Sequence, residues 1–582
     1  MILLNNSFEG EKHMRSRTVK KGLVIVIIIL FIGAGITQST LANSKLKNEF
    51  NGNKSRGYIQ DLINNASIGD TINIPSGTYY ENIKINKTVN LVGAGKDTTT
   101  LMPSSIYRDI VEISADWVNL SGFTIRKAGE SLYGVEILSD HNTVKDNNIS
   151  ENYHIGIGIF GSFNTIKDNE IYANDVEGII IQDNSDNTIE GNIISYNPLG
   201  LNFLESTNNI VDDNTISNNE IGIELYYDSE INTISGNTIN SNQEFGITLF
   251  GDNNILNGNT ISNNNCGIKL ESSNNDIISN SFLNDGIYVN SPFSNNILDN
   301  TVNGKSLAYL EVESNKIIDA GAGQIILVNC DSITIQDQEI TDTYTGIILI
   351  NSDNCLITNN NINSNNENGI DFYRSNYNDI KDNQISNNEI GIFLLNCENN
   401  NKISSNTITL NNLYGIVLSS SNNNIISGNE IESNNGFGIS LVKSQENEIK
   451  SNNISDNTLG IGIFSTDTYG NDIYHNNFLN NDDSAHDSSD IGNNWDDGTY
   501  GNYWSDYRQK YPNAKKLRQQ GIWDTPYQIS GRDNKDNRPL IKQWPKSSSA
   551  KPVTKTTFNF ILKWILDQFP ILENMLLYLI TG

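Results

Sequence analysis

One phrase returns about every 22 residues, and it limits what this chain can fold into more than any other feature. "GIELYYDSEINTISGNTINSNQEF" starts at Gly222, and "GITLFGDNNILNGNTISNNN" and "GIKLESSNNDIISNSFLND" follow from Gly246 and Gly267. The marker glycine of this G-I-x-L phrase recurs at Gly134, Gly156, Gly178, Gly200, Gly222, Gly246, Gly267 and Gly286. After a less regular gap it resumes at Gly346, Gly369, Gly391, Gly415, Gly438 and Gly460. A period of this length, held over most of a chain, predicts a solenoid.

Within a unit the apolar residues alternate, as in Ile223 and Leu225, then Ile231, Ile234 and Ile239. Period two with isoleucine filling predicts strands, and the units are too short and too rich in Asn and Gly for stacked helices. "SGN", "SNN" and "DNN" supply corner residues that tolerate left-handed backbone. Each short coil then pairs with the next, which predicts an all-β, right-handed parallel β-helix solenoid with an amide ladder of stacked Asn. Seventeen to nineteen coils at ~4.8 Å each would make a rod of roughly 80–90 Å. Open ends need covers. An N-terminal cap helix is expected from the spacing of Ile59, Leu62, Ile63 and Ala66, and "DTINIPSGTYYENIKI" begins the strands.

The rest of the chain divides around this body. Residues 1–42 read as a signal peptide or N-terminal anchor, with "MRSRTVKKG" before an apolar run at residues 23–36 and a small-residue cleavage pattern at Thr40-Leu41-Ala42. Export to the extracellular space or cell surface is the expectation, and sequons stand at Asn53, Asn65, Asn86 and Asn453. Residues 43–112 are read as cap and first coils, 113–480 as the repeats, and 481–545 as a Trp/Tyr-rich C-terminal cap. A linker (546–557) and a tail (558–582) follow, the tail with Phe558, Ile561, Leu562, Ile565, Leu566 and Phe569 at the spacing of short amphipathic helices. That tail is expected to dock on the rod, self-associate or touch a membrane surface. Cys266, Cys330, Cys355 and Cys397 form no CxxC pair and are expected to be buried free thiols.

The formal net charge of -30 disfavours nucleic acid as a partner. It suits calcium, a salty medium or plain solubility. If the isoleucine of the phrase points inward, the residue after its leucine points outward. That column runs through Leu138, Phe160, Gln182, Leu204, Tyr226 and Phe250, then Ile350, Tyr373, Leu395 and Phe464. Its aromatics lie beside carboxylates at Glu136, Glu224, Asp228, Asp252 and Asp371, a pattern suited to stacking on sugar rings and bonding their hydroxyls. Phe160, Glu224, Tyr226, Asp228, Phe250 and Tyr373 are therefore the candidate ligand-binding residues. For catalysis the local candidates are Asp371, Tyr373 and Arg374 in "DFYRSN"; for calcium they are Asp496, Asp497 and Asp506, without EF-hand spacing.

"GDTINIPSGTYYENIKI", "LVGAG" and the repeats resemble the NosD-like family of exported β-helix proteins with CASH-type (PbH1) repeats. Residues 300–335 and "NNWDDGTYGNYWSDY…DTPYQISGRDNKDNRPL" are similar to its archaeal cell-surface members. The resemblance spans residues 58–540. It implies a structural role or binding of carbohydrate or envelope protein, and the family label implies a copper accessory role. His141, His154, His475 and His486 show no copper-ligand spacing, so no cofactor is expected. The alternative reading is a polysaccharide lyase, glycoside hydrolase or uronan epimerase, since parallel β-helices are similar to those enzymes.

Overall fold

The structure, a computed structural model, describes residues 57–290, 294–490 and 492–545. The expected signal (1–42), linker (546–557) and tail (558–582) lie outside the described residues. The body is a right-handed parallel β-solenoid of about 22 residues per turn. Each coil lays down three short strands, for example Thr165–Lys167, Glu170–Tyr172 and Glu177–Gln182, and each strand pairs in parallel with its equivalent one coil on. We call these the first, second and third faces; the third carries G-I-x-L. First-face strands form an 11-stranded and then an 8-stranded sheet, nineteen rungs in all. That agrees with the coil number expected from the repeat.

The interior is a stack of isoleucines. Ile166, Ile171, Ile179 and Ile181 of one coil are fully buried, and each sits on an apolar partner in the next. Full burial of such a side chain contributes about 1.5–3 kcal/mol, and β-branching suits it to a strand. The marker glycine is dictated by crowding. A Cβ on Gly200 would lie 2.5 Å from the carbonyl oxygen of Gly222 in the coil above.

The corners explain the Asp-Asn and Gly-Asn pairs. At Asp168, Gly191 and Asp213 the backbone turns left-handed (φ 53°, 67° and 56°). The following Asn then faces inward and joins a ladder. Asn214 donates through Nδ2 to the Ile189 carbonyl (2.8 Å) and to Asn237 Oδ1 (3.0 Å), and Asn237 Oδ1 also accepts the Asn214 backbone N–H (2.9 Å). Buried backbone groups that a corner would orphan are satisfied in this way. Asn453, one of the sequon positions, is itself buried and donates to Glu430, so its amide is not available to a glycan.

Both described ends are covered. Helix α1 (Tyr58–Asn65) lays Ile59 and Ile63 on the first coil, and the Glu81 carboxylate accepts the N–H groups of Ile59 (3.0 Å) and Gln60 (3.1 Å). At the far end the ring of Phe478 stacks on Trp504 (4.3 Å), and Trp504 on Tyr527 (4.0 Å). Asp487 and Asp536, both fully buried, accept the indole N–H groups of Trp495 (3.2 Å) and Trp504 (2.8 Å). All four cysteines are free and buried. No helix among the described residues is long and apolar enough to cross a membrane.

The irregular gap in the repeat is a joint between two half-rods. Second-face strands of the first half reach Thr301–Val302, which forms a hairpin with the start of Lys305–Glu311. That strand pairs in parallel with Ala322–Val328, which pairs with Ile347–Ile350, the first third-face strand of the second half. The faces therefore shift by one position across the joint. Ala322–Val328 is buried along its whole length. Ile326 and Val328 pack into the core of the first half, while Ile325 and Leu327 pack into that of the second.

Candidate functional site

The joint decides the fate of the "DFYRSN" residues. Asp371 faces outward from its own half, yet the end of the first half covers it, leaving it 7% exposed. It lines a cavity of about 20 Å³ with Tyr288, Ile348, Ile350, Tyr373 and Phe393, room for about one water. Asn368 donates to it (2.9 Å). Burial, with Glu367 nearby, pushes its carboxyl up to about 7. Tyr373 is half-buried against the first half, and exposed Arg374 lies over the Tyr373 ring at 5.0 Å. Asp371 and Tyr373 thus flank the seam between the half-rods, and Arg374 is exposed beside it. Ile350 in the same column is also buried there.

The third face of the first half is different. One outward row runs unbroken through Glu112, Glu136, Gly158, Ile180, Asn202, Glu224, Thr248, Lys269 and Tyr288. Beside it runs Tyr133, Ile155, Glu177, Leu199, Ile221 and Phe245. From Glu136 to Lys269 this floor is about 29 Å long at one rung per ~4.8 Å.

Aromatic rings stand at both ends of this trough. At one end Tyr133 and Phe160 meet edge to face (5.5 Å, 82°) above Gly158, where a Cβ would come within 2.6 Å of the Tyr133 ring. At the other, Tyr226 and Tyr227 pack on Phe250 at 5.8 and 5.3 Å, and Lys269 lies over Phe245 and Phe250. Tyr226 and Tyr227 are 43% and 56% exposed. Phe160, Glu224, Tyr226 and Phe250 from the sequence reading are brought together on this face; Asp228 is exposed in the turn after Tyr227, in left-handed backbone.

Between the rings lie polar groups that the fold leaves unsatisfied. Glu177 accepts from Asn202 Nδ2 through Oε1 (2.9 Å), but its Oε2 has no partner. Asn202 Oδ1, Thr248 Oγ1 and His154 Nδ1 are also buried without partners, and Thr248 is only 2% exposed. Such groups cost roughly 1–3 kcal/mol each unless something bonds them. Burial raises the carboxyl pKa of Glu177, with Glu224 adding to it; burial raises that of Glu224 against the pull of Lys269. At the Tyr133 end, burial and the facing Asp109 carboxyl push Glu136 up to about 7. Asp109 is carried on the loop 103–110, which is pinned by Asn82 through bonds to the carbonyls of Ser105, Arg108 and Asp109. The loop's placement of Asp109 opposite Glu136 was invisible to the sequence reading, as were the orphaned atoms of Glu177, Asn202 and Thr248.

The metal candidates do not converge. Asp496 bonds Gly498 and Asn537, Asp497 bonds Thr499 and Tyr500 and lies 3.1 Å from His475 Nε2, and Asp506 bonds Lys510 and Tyr527. The histidines are also scattered. His141 stacks between Trp117 and Phe163, His475 on Trp544, and His486 on Phe464. Among the described residues no group of three or more His, Cys, Asp or Glu is placed to hold a metal. The copper chemistry implied by the family label therefore does not fit these residues.

A family model described as "Right handed beta helix region" matches residues 133–283 and 323–478. Comparison with curated proteins finds no match. Among solved structures, the pectate lyase Pel9A is 15% identical, with 43% of this chain and 76% of that one covered and a TM-score of 0.33. The periplasmic alginate epimerase AlgG is 15% identical (51% and 65% covered, TM-score 0.27). The catalytic unit of a thermostable GH87 α-1,3-glucanase from Streptomyces thermodiastaticus strain HF3-3 is 15% identical (62% and 61% covered, TM-score 0.29). At these scores the structural matches carry no inference about chemistry.

Proposed function

Because the chain belongs to the right-handed β-helix family, a fold that fixes its inward residues and leaves its outward rows free, we propose that those rows bind an extended glycan. The trough on the third face of the first half is the binding surface. The observation that carries this reading is the set of orphaned polar atoms, Glu177 Oε2 and Asn202 Oδ1 between two aromatic clusters and Thr248 Oγ1 on a rung of the second. Hydroxyl-rich pyranose rings supply both things such a floor lacks: hydrogen-bond partners and flat faces for stacking. The rung spacing is close to the advance per residue of an extended pyranose chain. In this reading the protein is an exported, NosD-like surface binder, with residues 1–42 as its signal and calcium not required.

The test is a glycan array followed by calorimetry on the best ligand. Tyr226→Ala and Phe160→Ala should each weaken binding about tenfold through loss of ring stacking. Unchanged affinity in both variants would remove the trough from consideration.

A second reading, glycoside cleavage, is favoured by one observation. The Glu136 carboxyl, pushed up to about 7 by burial and the facing Asp109, keeps an acid available near neutrality, as general acid catalysis needs. It predicts release of reducing ends from a bound glycan, abolished by Glu136→Gln. Persistence of the glycan through prolonged incubation would leave binding alone.

A further inference from the structure

The trough also specifies the charge of what it takes, an inference that rests on the glycan reading above. We propose that its ligand is an amine-bearing glycan, a chain of amino sugars with free amino groups, and that polyuronates are excluded. Two independent observations point this way.

The first is the balance of charge. Glu136, Glu177 and Glu224 line the floor, with Asp109 at its end. The cations near them are already engaged: Lys269 with Glu271 at 2.9 Å, and Lys84 with Glu112. A carboxylate-bearing sugar would enter a field of its own sign, and like-charge juxtaposition is costly. The second is the polarity of the orphaned atoms. Glu177 Oε2 in the ionised carboxylate and Asn202 Oδ1 can only accept hydrogen bonds, and Asn202 is fixed in that orientation because its Nδ2 donates to Glu177 Oε1. Thr248 Oγ1, almost fully buried on the same row, can accept as well. The floor is therefore short of donors. A hydroxyl brings one donor, whereas an ammonium brings three and a positive charge. The aromatic clusters at each end keep the ligand a glycan and not a bare polyamine, since stacking needs a ring face.

The experiment compares short oligomers of equal length made of glucosamine, N-acetylglucosamine, glucose and galacturonate, with poly-lysine as a fifth probe. Binding is read by calorimetry in neutral buffer of low ionic strength, where the floor carboxyls keep more of their charge than in acid. The glucosamine oligomer should bind at least tenfold more tightly than the glucose and N-acetylglucosamine oligomers. Glu177→Gln and Glu224→Gln, checked by circular dichroism for an intact rod, should each weaken the glucosamine oligomer several-fold more than the glucose oligomer. Tyr226→Ala should weaken the glucosamine and glucose oligomers alike. Galacturonate or N-acetylglucosamine binding as tightly as glucosamine overturns the charge assignment but leaves the glycan reading standing. Poly-lysine binding as tightly, with Tyr226→Ala without effect, overturns the ring-stacking element and with it the glycan. Failure of every oligomer to bind overturns both readings.

Discussion

The two half-rods share one repeat, one register and one kind of core, yet their third faces could hardly differ more. In the first half that face carries Glu136, Glu177, Asn202, Glu224 and Thr248, with exposed tyrosines at the margin. In the second half the matching row reads Ile348, Asp371, Phe393, Val417, Ser440, Gly462 and His486. Beside it Tyr414, Phe437 and Phe464 stack ring on ring, ending on His486 of the row itself, at 5.0–5.3 Å. The orphaned atoms of the trough have no counterpart among the described residues from Phe393 to His486 on this row. A solenoid separates its two obligations cleanly. Inward rows are held alike by stacking, and outward rows are free to diverge, so chemistry is to be sought where equivalent coils disagree.

The comparison can be broken first at the joint. Val328→Asp puts a charge into the first core and Leu327→Asp puts one into the second, each costing upwards of about 4 kcal/mol. Hydrogen exchange should show Val328→Asp loosening mainly residues 57–290 and Leu327→Asp mainly residues 330–480. Identical patterns would mean that the halves are one cooperative unit. The Asn ladders should behave alike in both halves. Asn237→Ala and Asn429→Ala each strip the same set of buried hydrogen bonds and should lose about 2–3 kcal/mol in denaturant unfolding. A marked difference would show that the halves are not equivalent inside.

On the outside, Tyr226→Ala should cost a bound glycan about tenfold in affinity, whereas Phe437→Ala in the second half should cost nothing measurable. The last test is a slope in pH. Burial holds Asp285 and Asp371, one from each side of the joint, at about 7. Between the unfolded carboxyl value near ~4 and that point, the native chain keeps protons that the unfolded chain has released. Stability should thus fall as pH rises through this window and level off above it, by no more than about 1.4 kcal/mol per pH unit for each group. Asp285→Asn, which supplies the residue used elsewhere in its ladder, should flatten the slope; a slope unchanged in that variant would place its origin elsewhere.

Much of this was legible in the chain. The alternation around Ile223 and Leu225, the corner Asn residues and the capping face of Ile59 and Ile63 are local patterns, and the structure follows them. The outward placement of Phe160, Tyr226 and Phe250 follows from strand alternation. What escaped was long-range. Asp371 and Ile350 alternate outward as Glu224 and Tyr226 do, but another part of the chain lies against them. Nothing near residue 371 announces that cover, because it comes from the strand Ile287–Val289 across the joint. Likewise Glu136 and Asp109 meet only because one loop is longer than its neighbours. The calcium candidates lie apart for a simpler reason. Asp496, Asp497 and Asp506 are each used by their own turns and partners.

The strand Ala322–Val328 serves as wall to two rooms at once. Whoever wishes to produce either half-rod alone therefore faces a constraint on where to cut. An N-terminal piece ending near residue 300 would bare the apolar floor on which Ile326 and Val328 rest, and a C-terminal piece beginning after residue 328 would bare the other side. Each fragment must carry its own copy of this segment, and only fragments that overlap there should stay in solution by themselves.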